Sequence, residues 1–479
     1  MTQDYIEALT SGYQWSSFLP GTLEITYTFD HTKTHFSLTG LATQAEDFNA
    51  AQKAATRAVL KHYEDIADIK FTEVSSSQLL TTADITFVSA ETQNDSAGFA
   101  YYPSSWGSDV VIDNVYDGTA SGSNANYYGI EPGQFGYRLL LHEIGHAMGL
   151  EHPHEGVALA EAIDSQNTTV MSYDDSSSSK VGGDIAKRVG PDAPQTLQIY
   201  DIAVMQSIYG ANHNYNAGDN TYVFDGVTKV FTLWDGDGID TYDASSMFGN
   251  VTLDLREGAE HVSKIGDENI WTAIGANIEN ATAGSGNDSL FGNSLANMLR
   301  GMSGNDRLEG FGGSDFINGN AGTDTVDGGM GADSLLGGRD NDRLFGSGGE
   351  DRVNGNLGDD VVFGDAGNDR VHGGKNDDIV YGGAGNDSVF GDLGNDTLYG
   401  NEGADVFVFA SQNGADVIQD FTSGVDKIEL RHDGVDASNI LSLVSYVNSQ
   451  AVINIDAQSV ISLVGVVEGV IGESDFVFL

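Results

Sequence analysis

The stretch GAGNDSVFGDLGNDTLYG at residues 383–400 contains the same nine-residue pattern twice. Each copy follows the template GGxGxDxUx, in which U is an apolar residue. Aligned on its aspartate, the pattern recurs every nine residues from Asp288 to Asp405, and only Asn297 interrupts the row. An apolar residue such as Leu308 follows each of these positions by two. A short, strict period of this kind predicts a β-solenoid.

The chemistry of the template predicts calcium binding. Its glycines allow a tight turn that exposes backbone carbonyls, and its aspartate adds an anionic oxygen. With two repeats per coil, the apolar residues form an inner ladder and Ca²⁺ ions lie between neighbouring turns. We therefore expect an all-β parallel roll that folds only with several calcium ions, because unpaired aspartates repel one another. The predicted calcium ligands are Gly284, Gly286, Asp288, Gly304, Asp306, Gly313, Asp315, Gly322, Asp324, Gly331, Asp333, Asp342, Asp351, Gly358, Asp360, Gly367, Asp369, Asp378, Gly385, Asp387, Gly394, Asp396, Gly403 and Asp405.

Two departures from the template qualify this prediction. Asp340 and Asn376 stand where glycine is expected, so we expect weak or empty sites there. The alternative interpretation of the segment is a solvated, shapeless acidic linker. The strict period and the apolar residue in every repeat argue against such a linker.

Composition limits the partners of the chain. Its 479 residues include 71 acidic and 21 basic side chains, for a formal charge of −50. So acidic a chain repels nucleic acid and anionic membranes and attracts cations. It has no cysteine, so disulfides cannot stiffen it. We find no signal-peptide pattern at the N-terminus and no apolar run of about 18 residues, and we expect no membrane insertion.

The chain divides by composition into four parts. We predict an α+β domain at 1–215, a β-rich connector at 216–283, the roll at 284–409 and a C-terminal β region at 410–479. In the first part a T-x-x-E capping box predicts a helix at Thr43–Tyr63, and apolar runs predict strands at Ala83–Val88 and Ser108–Ile112.

A second motif, LLLHEIGHAMGLEHP, occupies residues 139–153. We predict a helix over Leu139–Met148 that stops at Gly149, because glycine readily ends a helix in a left-handed turn. On that helix His142 and His146 lie four residues apart, on one face, and can chelate one ion.

The flanking residues complete a catalytic zinc pattern. His152 can return after the turn as a third imidazole, and three neutral nitrogens with an open position are typical of catalytic zinc. Glu143 lies beside the ion without binding it, placed to take a proton from the attacking water. The alternative is a buried helix with incidental histidines. H-E-x-x-H by itself is only suggestive, but the glycine and third histidine make coincidence rare.

The spacing H-E-x-x-H-x-x-G-x-x-H resembles that of the metzincins, which also carry a methionine turn beneath the zinc. Thr169–Tyr173 reads TVMSY, so the resemblance implies that Met171 is the turn methionine. It also implies that Tyr173 binds zinc at rest and then swings away to stabilise the oxyanion.

With both halves considered, nearly the whole chain resembles the serralysins, secreted bacterial RTX metalloproteases. Segments similar to that family are SGYQW (11–15), DIAVMQSIYGAN (201–212), FTLWDGDGIDTYDAS (231–245), IENATAGSGND (278–288) and ADVFVF (404–409). The resemblance implies a metzincin catalytic domain followed by a roll, and a secreted endopeptidase with one catalytic zinc ion. It places an extended substrate along an edge strand near Ala97–Tyr102.

The resemblance also implies partners. These are polypeptide substrates, a type I exporter that reads the C-terminal GESDFVFL at 472–479, and a proteinaceous inhibitor as a further candidate; we expect a monomer. Three departures stand out: the segment between His152 and Met171 is short, the repeat array is long, and few residues precede SGYQW, so a propeptide is absent or already removed.

Two other functions remain open at this stage. A calcium-dependent adhesin or surface scaffold could carry an inactive protease domain, although the intact set of three histidines and a glutamate disfavours it. An RTX lipase lacks support, because the chain has no G-x-S-x-G motif.

Overall fold

The computed structural model describes residues 6, 9–16, 22–75, 83–93, 96–118, 129–154, 168–172, 195–225, 230–266, 268–448 and 450–478. Its buried apolar side chains form two large cores. One fills the N-terminal part, and the other runs along the repeat array. The α+β-then-roll fold class is therefore confirmed.

Among the described residues, a mixed sheet and three helices build the N-terminal part. The elements are β1 (Leu23–Thr28), β2 (Ala42–Glu46), α1 (Ala50–Ile66), β3 (Ile69–Glu73), β4 (Ile85–Thr92), β5 (Gly98–Ala100), β6 (Ser108–Asp113), α2 (Phe135–Ala147) and α3 (Ile199–Tyr209), with a 3₁₀ turn at His31–Lys33. The sheet order is β3-β1-β4-β6-β5, and β2 also pairs with β4. Within the described residues β5 is an edge strand, antiparallel to β6.

The predicted helix at Thr43–Tyr63 is wrong at its start. Thr43 to Glu46 belong to β2, which pairs antiparallel with β4. The helix begins at Ala50, because Asn49 and Gln52 form a second capping box six residues further on. Backbone pairing with a sheet edge therefore decides the conformation of the first T-x-x-E match.

The other N-terminal predictions are confirmed. β6 begins at Ser108 as expected, and β4 covers the predicted strand shifted toward its C-terminal end. Helix α2 begins earlier than predicted, at Phe135, and ends where expected. Gly149 adopts a left-handed φ of 96° just beyond it.

The remaining strands stack into two long sheets. They are β7 (Thr221–Val223), β8 (Val230–Leu233), β9 (Thr241–Asp243), β10 (Val251–Asp254), β11 (Ser263–Ile265), β12 (Glu268–Thr272), β13 (Asn280–Thr282), β14 (Ser289–Phe291), β15 (Met298–Ser303), β16 (Arg307–Glu309), β17 (Phe316–Ala321), β18 (Thr325–Met330), β19 (Ser334–Arg339), β20 (Arg343–Gly348), β21 (Arg352–Leu357), β22 (Val361–Ala366), β23 (Arg370–Lys375), β24 (Ile379–Ala384), β25 (Ser388–Leu393), β26 (Thr397–Glu402), β27 (Val406–Ala410), β28 (Gly414–Ile418), β29 (Lys427–Arg431), β30 (Val444–Val447), β31 (Gln450–Asp456), β32 (Ser459–Leu463) and β33 (Phe476–Phe478). A one-turn helix, α4 (Ile440–Leu443), precedes β30.

Register confirms two repeats per coil. In the parallel pair β20–β22, Arg343 faces Val361, eighteen residues on, and Leu344 faces Val362. Even-numbered strands form one sheet and odd-numbered strands the other over β13–β29. Most strands are six residues long rather than the very short ones expected, because pairing continues through the glycines.

The apolar ladder inside the roll is fully buried. The residue two positions after each aspartate, such as Leu344 or Val380, is at most 1% exposed. The connector joins the same sheets, because β9 pairs with β13 and β13 with β15. Its Trp234 and Trp271 instead pack into the N-terminal core. The two cores therefore meet at the connector.

No helix among the described residues is long and apolar enough to cross a membrane.

Candidate metal centres

Three imidazoles converge beside helix α2. His142 and His146 lie one turn apart on the helix, and the left-handed turn at Gly149 brings His152 back towards them. The Nε2 atom of His152 lies 3.1 Å from the Nε2 atoms of both His142 and His146. Nitrogens bound tetrahedrally to zinc at about 2.0–2.1 Å are separated by about 3.3 Å, so the three fit one zinc ion.

Backbone carbonyls orient the two helical imidazoles. His142 Nδ1 lies 2.9 Å from the carbonyl of Val170, and His146 Nδ1 lies 2.9 Å from that of Leu150. A carbonyl only accepts, so each Nδ1 carries the proton and each Nε2 presents its lone pair to the metal position. Burial also lowers the pKa of His142 well below its ordinary value and that of His146 to about 3. Both imidazoles are therefore neutral, as metal ligands must be.

Glu143 lies next to His142 on the helix and is only 4% exposed. Burial raises its pKa to about 8. The edge strand β5 passes directly beside it, because a Cβ on Gly98 would lie 3.4 Å from Glu143 Cγ. A carboxylate with a raised pKa beside an exposed strand edge is suited to exchange protons with a bound peptide.

Met171, the predicted turn methionine, packs against helix α2. It is fully buried, and a Cβ added at Gly145 would lie 2.7 Å from its Sδ atom. Gly145 sits between the two helical histidines, so its missing side chain makes room for Met171. The predicted partner in this turn, Tyr173, lies outside the described residues, and its role stays a prediction.

A residue that the sequence analysis missed holds this turn. Asp201 on α3 is 0% exposed and accepts hydrogen bonds from the Thr169 hydroxyl at 2.5 Å and the Val170 amide at 2.8 Å. The carbonyl of the same Val170 accepts the hydrogen bond from His142 Nδ1. Asp201 is thus linked to a proposed metal ligand through one residue. Its only sequence signal was an acidic residue in the first turn of an apolar helix.

The repeat aspartates form two continuous ladders. Each donates its backbone N–H to the Oδ1 atom of the aspartate one coil further on, as Asp324 does to Asp342 and Asp333 to Asp351, both at 2.8 Å. The second oxygen is different. From Asp306 to Asp405 each Oδ2 is buried without a hydrogen-bond partner. A buried, unpartnered carboxylate oxygen is costly, and a bound cation would satisfy it.

Glycines enclose these oxygens closely. A Cβ on Gly337 would lie 2.4 Å from Asp342 Oδ2 and 2.8 Å from the carbonyl of Gly355. The predicted glycine ligands permit close stacking as well, since a Cβ on Gly385 would lie 1.5 Å from the Gly367 carbonyl. Oxygens of two kinds thus converge in small spaces between turns, a donor set that suits Ca²⁺.

Burial shifts the pKa of these carboxyl groups strongly. Desolvation, with the charge of neighbouring aspartates, raises the pKa of Asp342 and Asp378 to about 8 and that of Asp306 to about 7. The two substituted turns stay in the left-handed region, because Asp340 and Asn376 adopt φ values of 73° and 82°, whereas the equivalent glycines Gly331 and Gly349 have larger values of 138° and 148°. Whether those sites are weaker stays a prediction.

The first coil closes the ladders without an unpartnered oxygen. Asp288 Oδ2 accepts the Gly284 amide at 3.1 Å, and Asn297 Oδ1 accepts the Asn293 amide at 2.8 Å. Backbone donors thus satisfy the atoms that are unpartnered from Asp306 onward. The interruption at Asn297 therefore lies at one end of the ladders.

At the other end the ladders continue past the predicted array. Asp396 donates to Asp416 at 3.0 Å and Asp405 to Asp426 at 3.1 Å. Asp416 Oδ2 is unpartnered, whereas Asp426 Oδ2 accepts the Thr422 amide. The sequence analysis missed both aspartates, because insertions break the nine-residue period. The preserved G-x-D-x-U pattern was the available signal.

The connector holds one further buried carboxylate of this kind. Asp240 is 1% exposed, and its Oδ2 is unpartnered. Burial raises its pKa to about 7, and the charges of Asp235 and Glu279 add to the shift. The run DGDGID at 235–240 signals this cluster, although it does not follow the nonapeptide template.

Known proteins resemble both the N-terminal part and the repeat-containing part of the chain. The family model described as Matrixin matches residues 25–180, and that described as Peptidase M10 serralysin C terminal matches residues 200–463. The metalloprotease AprA of Pseudomonas entomophila is 32% identical over 327 residues, which cover 61% of this chain and 64% of that protein. The serralysin of Proteus mirabilis is 33% identical over 314 residues, 58% of this chain and 60% of its own length.

The metallopeptidase AprA of Pseudomonas marginalis is 34% identical over 318 residues and is covered to 62%. The chain thus spans about 60% of the length of these relatives. The serralysin C-terminal match alone covers more than half of the 479 residues. With the three converging imidazoles in a matrixin-like half and the aspartate ladders in the other, the chain belongs to the serralysin group of the M10 peptidases.

Proposed function

We propose that this protein is a secreted zinc-dependent endopeptidase whose roll folds with calcium. One observation carries the proposal. The Nε2 atom of His152 lies 3.1 Å from the Nε2 atoms of both His142 and His146, and Glu143 is buried beside them. His142 and His146 each turn a protonated Nδ1 to a backbone carbonyl and an unprotonated Nε2 to the same point, the arrangement that a metal ion requires.

His142, His146 and His152 would hold the zinc ion. When bound there, zinc supplies a Lewis acid that polarises the scissile carbonyl and acidifies water. Glu143 accepts the proton of the attacking water and delivers it to the nitrogen of the leaving amine. Tyr173 is proposed to ligate zinc at rest and to stabilise the oxyanion by a hydrogen bond.

The substrate is proposed to bind as an extended strand along β5. This strand has a free edge within the described part of the sheet, and Gly98 at its start abuts Glu143. Backbone pairing with the edge would align the peptide without reading its sequence. Polypeptides are therefore the proposed substrates.

The roll is proposed to take up calcium through the unpartnered Oδ2 atoms and the stacked turn carbonyls. The four parts at 1–215, 216–283, 284–409 and 410–479 remain our proposed domain boundaries. Type I export from the C-terminal segment, a proteinaceous inhibitor and a monomeric state belong to the same proposal. In that C-terminal segment, Phe476–Phe478 forms β33, and Asp475 accepts the Gly424 amide at 2.9 Å.

Zinc content and peptide turnover test this function together. His146→Ala removes one proposed ligand, so we expect loss of bound zinc and of cleavage of a quenched peptide. His213→Ala, which removes an exposed imidazole of the same domain, should leave both unchanged. A wild-type protein that binds calcium but neither binds zinc nor cleaves peptides would favour the adhesin alternative instead.

A further inference from the structure

The N-terminal strap, residues 9–15, lies against the turn that carries the third histidine. Leu9 accepts the Glu151 amide at 2.9 Å, and Ser11 donates its amide to the Gly149 carbonyl at 3.0 Å. Trp15 Nε1 donates to the Ala147 carbonyl at 2.9 Å. These bonds fix the strap along the end of α2 and the start of the returning chain.

The strap places one exposed ring beside the proposed cleft. Tyr13 is 57% exposed, yet its ring stacks on that of Tyr102 with centroids 5.8 Å apart and an angle of 7°. Tyr102 in turn contacts His146 edge to face, with centroids 5.5 Å apart. Two parallel phenol rings therefore extend outward from a proposed zinc ligand.

The position of Tyr102 relates this pair to the edge strand. Backbone pairing with β6 continues beyond β5, because the Tyr101 amide donates to the Asp109 carbonyl at 3.1 Å. A peptide paired along this edge passes Gly98 beside Glu143 at one end and Tyr102 at the other, about 13 Å away. Every second side chain of an extended peptide faces the same way, so one of them meets the stacked rings.

We infer that Tyr13 and Tyr102 form the wall of one substrate subsite and select peptides with an aromatic or long aliphatic side chain there. The inference rests on the proposed endopeptidase function and deepens it. Aromatic rings in offset-stacked or edge-to-face contact favour one another by more than their buried area, and aliphatic chains pack on ring faces. The chain carries a formal charge of −50, so a negatively charged side chain gains nothing at this wall.

The competing interpretation makes Tyr13 a structural part of the strap. Its carbonyl oxygen would lie 2.2 Å from a Cβ on Gly149, so its backbone is tightly packed against that turn. A structural role predicts an equal loss of turnover for every peptide. A subsite role predicts a loss only for peptides that carry the selected side chain. Removing the ring while keeping the backbone separates the two.

The test uses the full-length protein with zinc and calcium and a set of quenched peptides that vary one position at a time between Phe, Leu, Ala and Asp. We expect wild type to prefer Phe or Leu over Ala at one position. Tyr13→Ala should lower kcat/KM for those peptides about tenfold and leave the Ala peptide within about twofold, with zinc content unchanged. Tyr13→Phe keeps the ring and should keep the preference. Phe248→Ala, which removes a ring 89% exposed on the connector, is the matched control.

Three results would overturn the inference. An unchanged profile in Tyr13→Ala shows that the ring touches no substrate. An equal loss for all peptides shows that it serves only the strap. A wild type that binds zinc and cleaves none of the peptides refutes the endopeptidase function itself, and the subsite with it, whereas the first two results leave that function intact.

Discussion

At the scale of single residues, Asp201 connects helix α3 to the metal position. Its carboxylate receives the amides of Val170 and Gln198 at 2.8 Å and the Thr169 hydroxyl, and burial raises its pKa to about 6. The Val170 carbonyl then fixes the proton of His142 on Nδ1. Partners of metal ligands in this position commonly tune metal affinity.

Asp201→Ala should therefore weaken zinc binding. Alanine leaves the amides of Val170 and Gln198 and the Thr169 hydroxyl without their acceptor, so the turn shifts and His142 loses its fixed orientation. We expect zinc affinity, measured by competition with a chelator, to fall about tenfold to a hundredfold. Glu46→Ala, which removes an exposed carboxyl group on β2 of the same domain, should leave it unchanged. Equal affinities for both variants would contradict this coupling.

The sequence predicted the three converging histidines because their spacing directly encodes one helix face and a turn. It could not predict Asp201, since that contact joins α3 to residues 169–170 and no local pattern records it. Gly145 was missed for the same reason. Its need for space arises from Met171, which the fold brings in from another segment.

At the scale of elements, local patterns were reliable only where no other element competes for the backbone. The repeats specify their coils because each unit pairs only with copies of itself, so register follows from the period. The T-x-x-E match at Thr43 failed because strand pairing with β4 decided that segment. Helix α1 begins instead after Asn49, whose capping box with Gln52 does not compete with strand pairing.

One glycine in the roll tests how tightly the coils stack. Gly385 has a φ of 142°, and a Cβ there would overlap the Gly367 carbonyl. Gly385→Ala should therefore destabilise the calcium-loaded roll by about 3 kcal/mol, from backbone strain and overpacking together. Gly434 also has a left-handed φ, of 86°, but a Cβ there would meet nothing within 4 Å. Gly434→Ala should therefore lower the free energy of unfolding by only about 1 kcal/mol. Thermal unfolding in the presence of calcium measures the stability of both variants. Equal destabilisation by the two substitutions would argue against close stacking of the coils.

At the scale of the whole molecule, the aspartate ladders make calcium-free stability depend on pH. Burial raises the pKa of Asp342 and Asp378 from the ordinary 3.8 to about 8 in the folded roll. The folded state therefore binds more protons than the unfolded state above about pH 4. The contribution of these groups to stability is full below that pH and is lost as the pH rises through about 8.

Protein stripped of calcium should thus gain β-structure on acidification. We expect its circular dichroism to show a folded roll near pH 5 and loss of strand signal near pH 8, while excess calcium restores the signal at pH 8. Calcium replaces the protons as the partner of each Oδ2 atom. A calcium-free roll that is equally folded at both values would show that the unpartnered oxygens cost little.

The connector relates this calcium dependence to the catalytic half. Trp271 on β12 and Trp234 just after β8 belong to the N-terminal core, although β8 and β12 lie in a sheet of the roll. Trp234 Nε1 also donates to the Asn212 carbonyl, just after helix α3. A folded roll therefore supports the helix that carries Asp201, which is consistent with a centre that assembles only where calcium is present.

The central claim is that Glu143 transfers the proton in zinc-dependent peptide hydrolysis, and one measurement tests it most directly. Glu143→Gln keeps the size of the side chain and all three histidines, so the variant should fold and bind one zinc ion like wild type. Its casein hydrolysis should fall by at least about a hundredfold, because glutamine cannot accept the proton. Undiminished hydrolysis by the zinc-loaded variant would contradict the account.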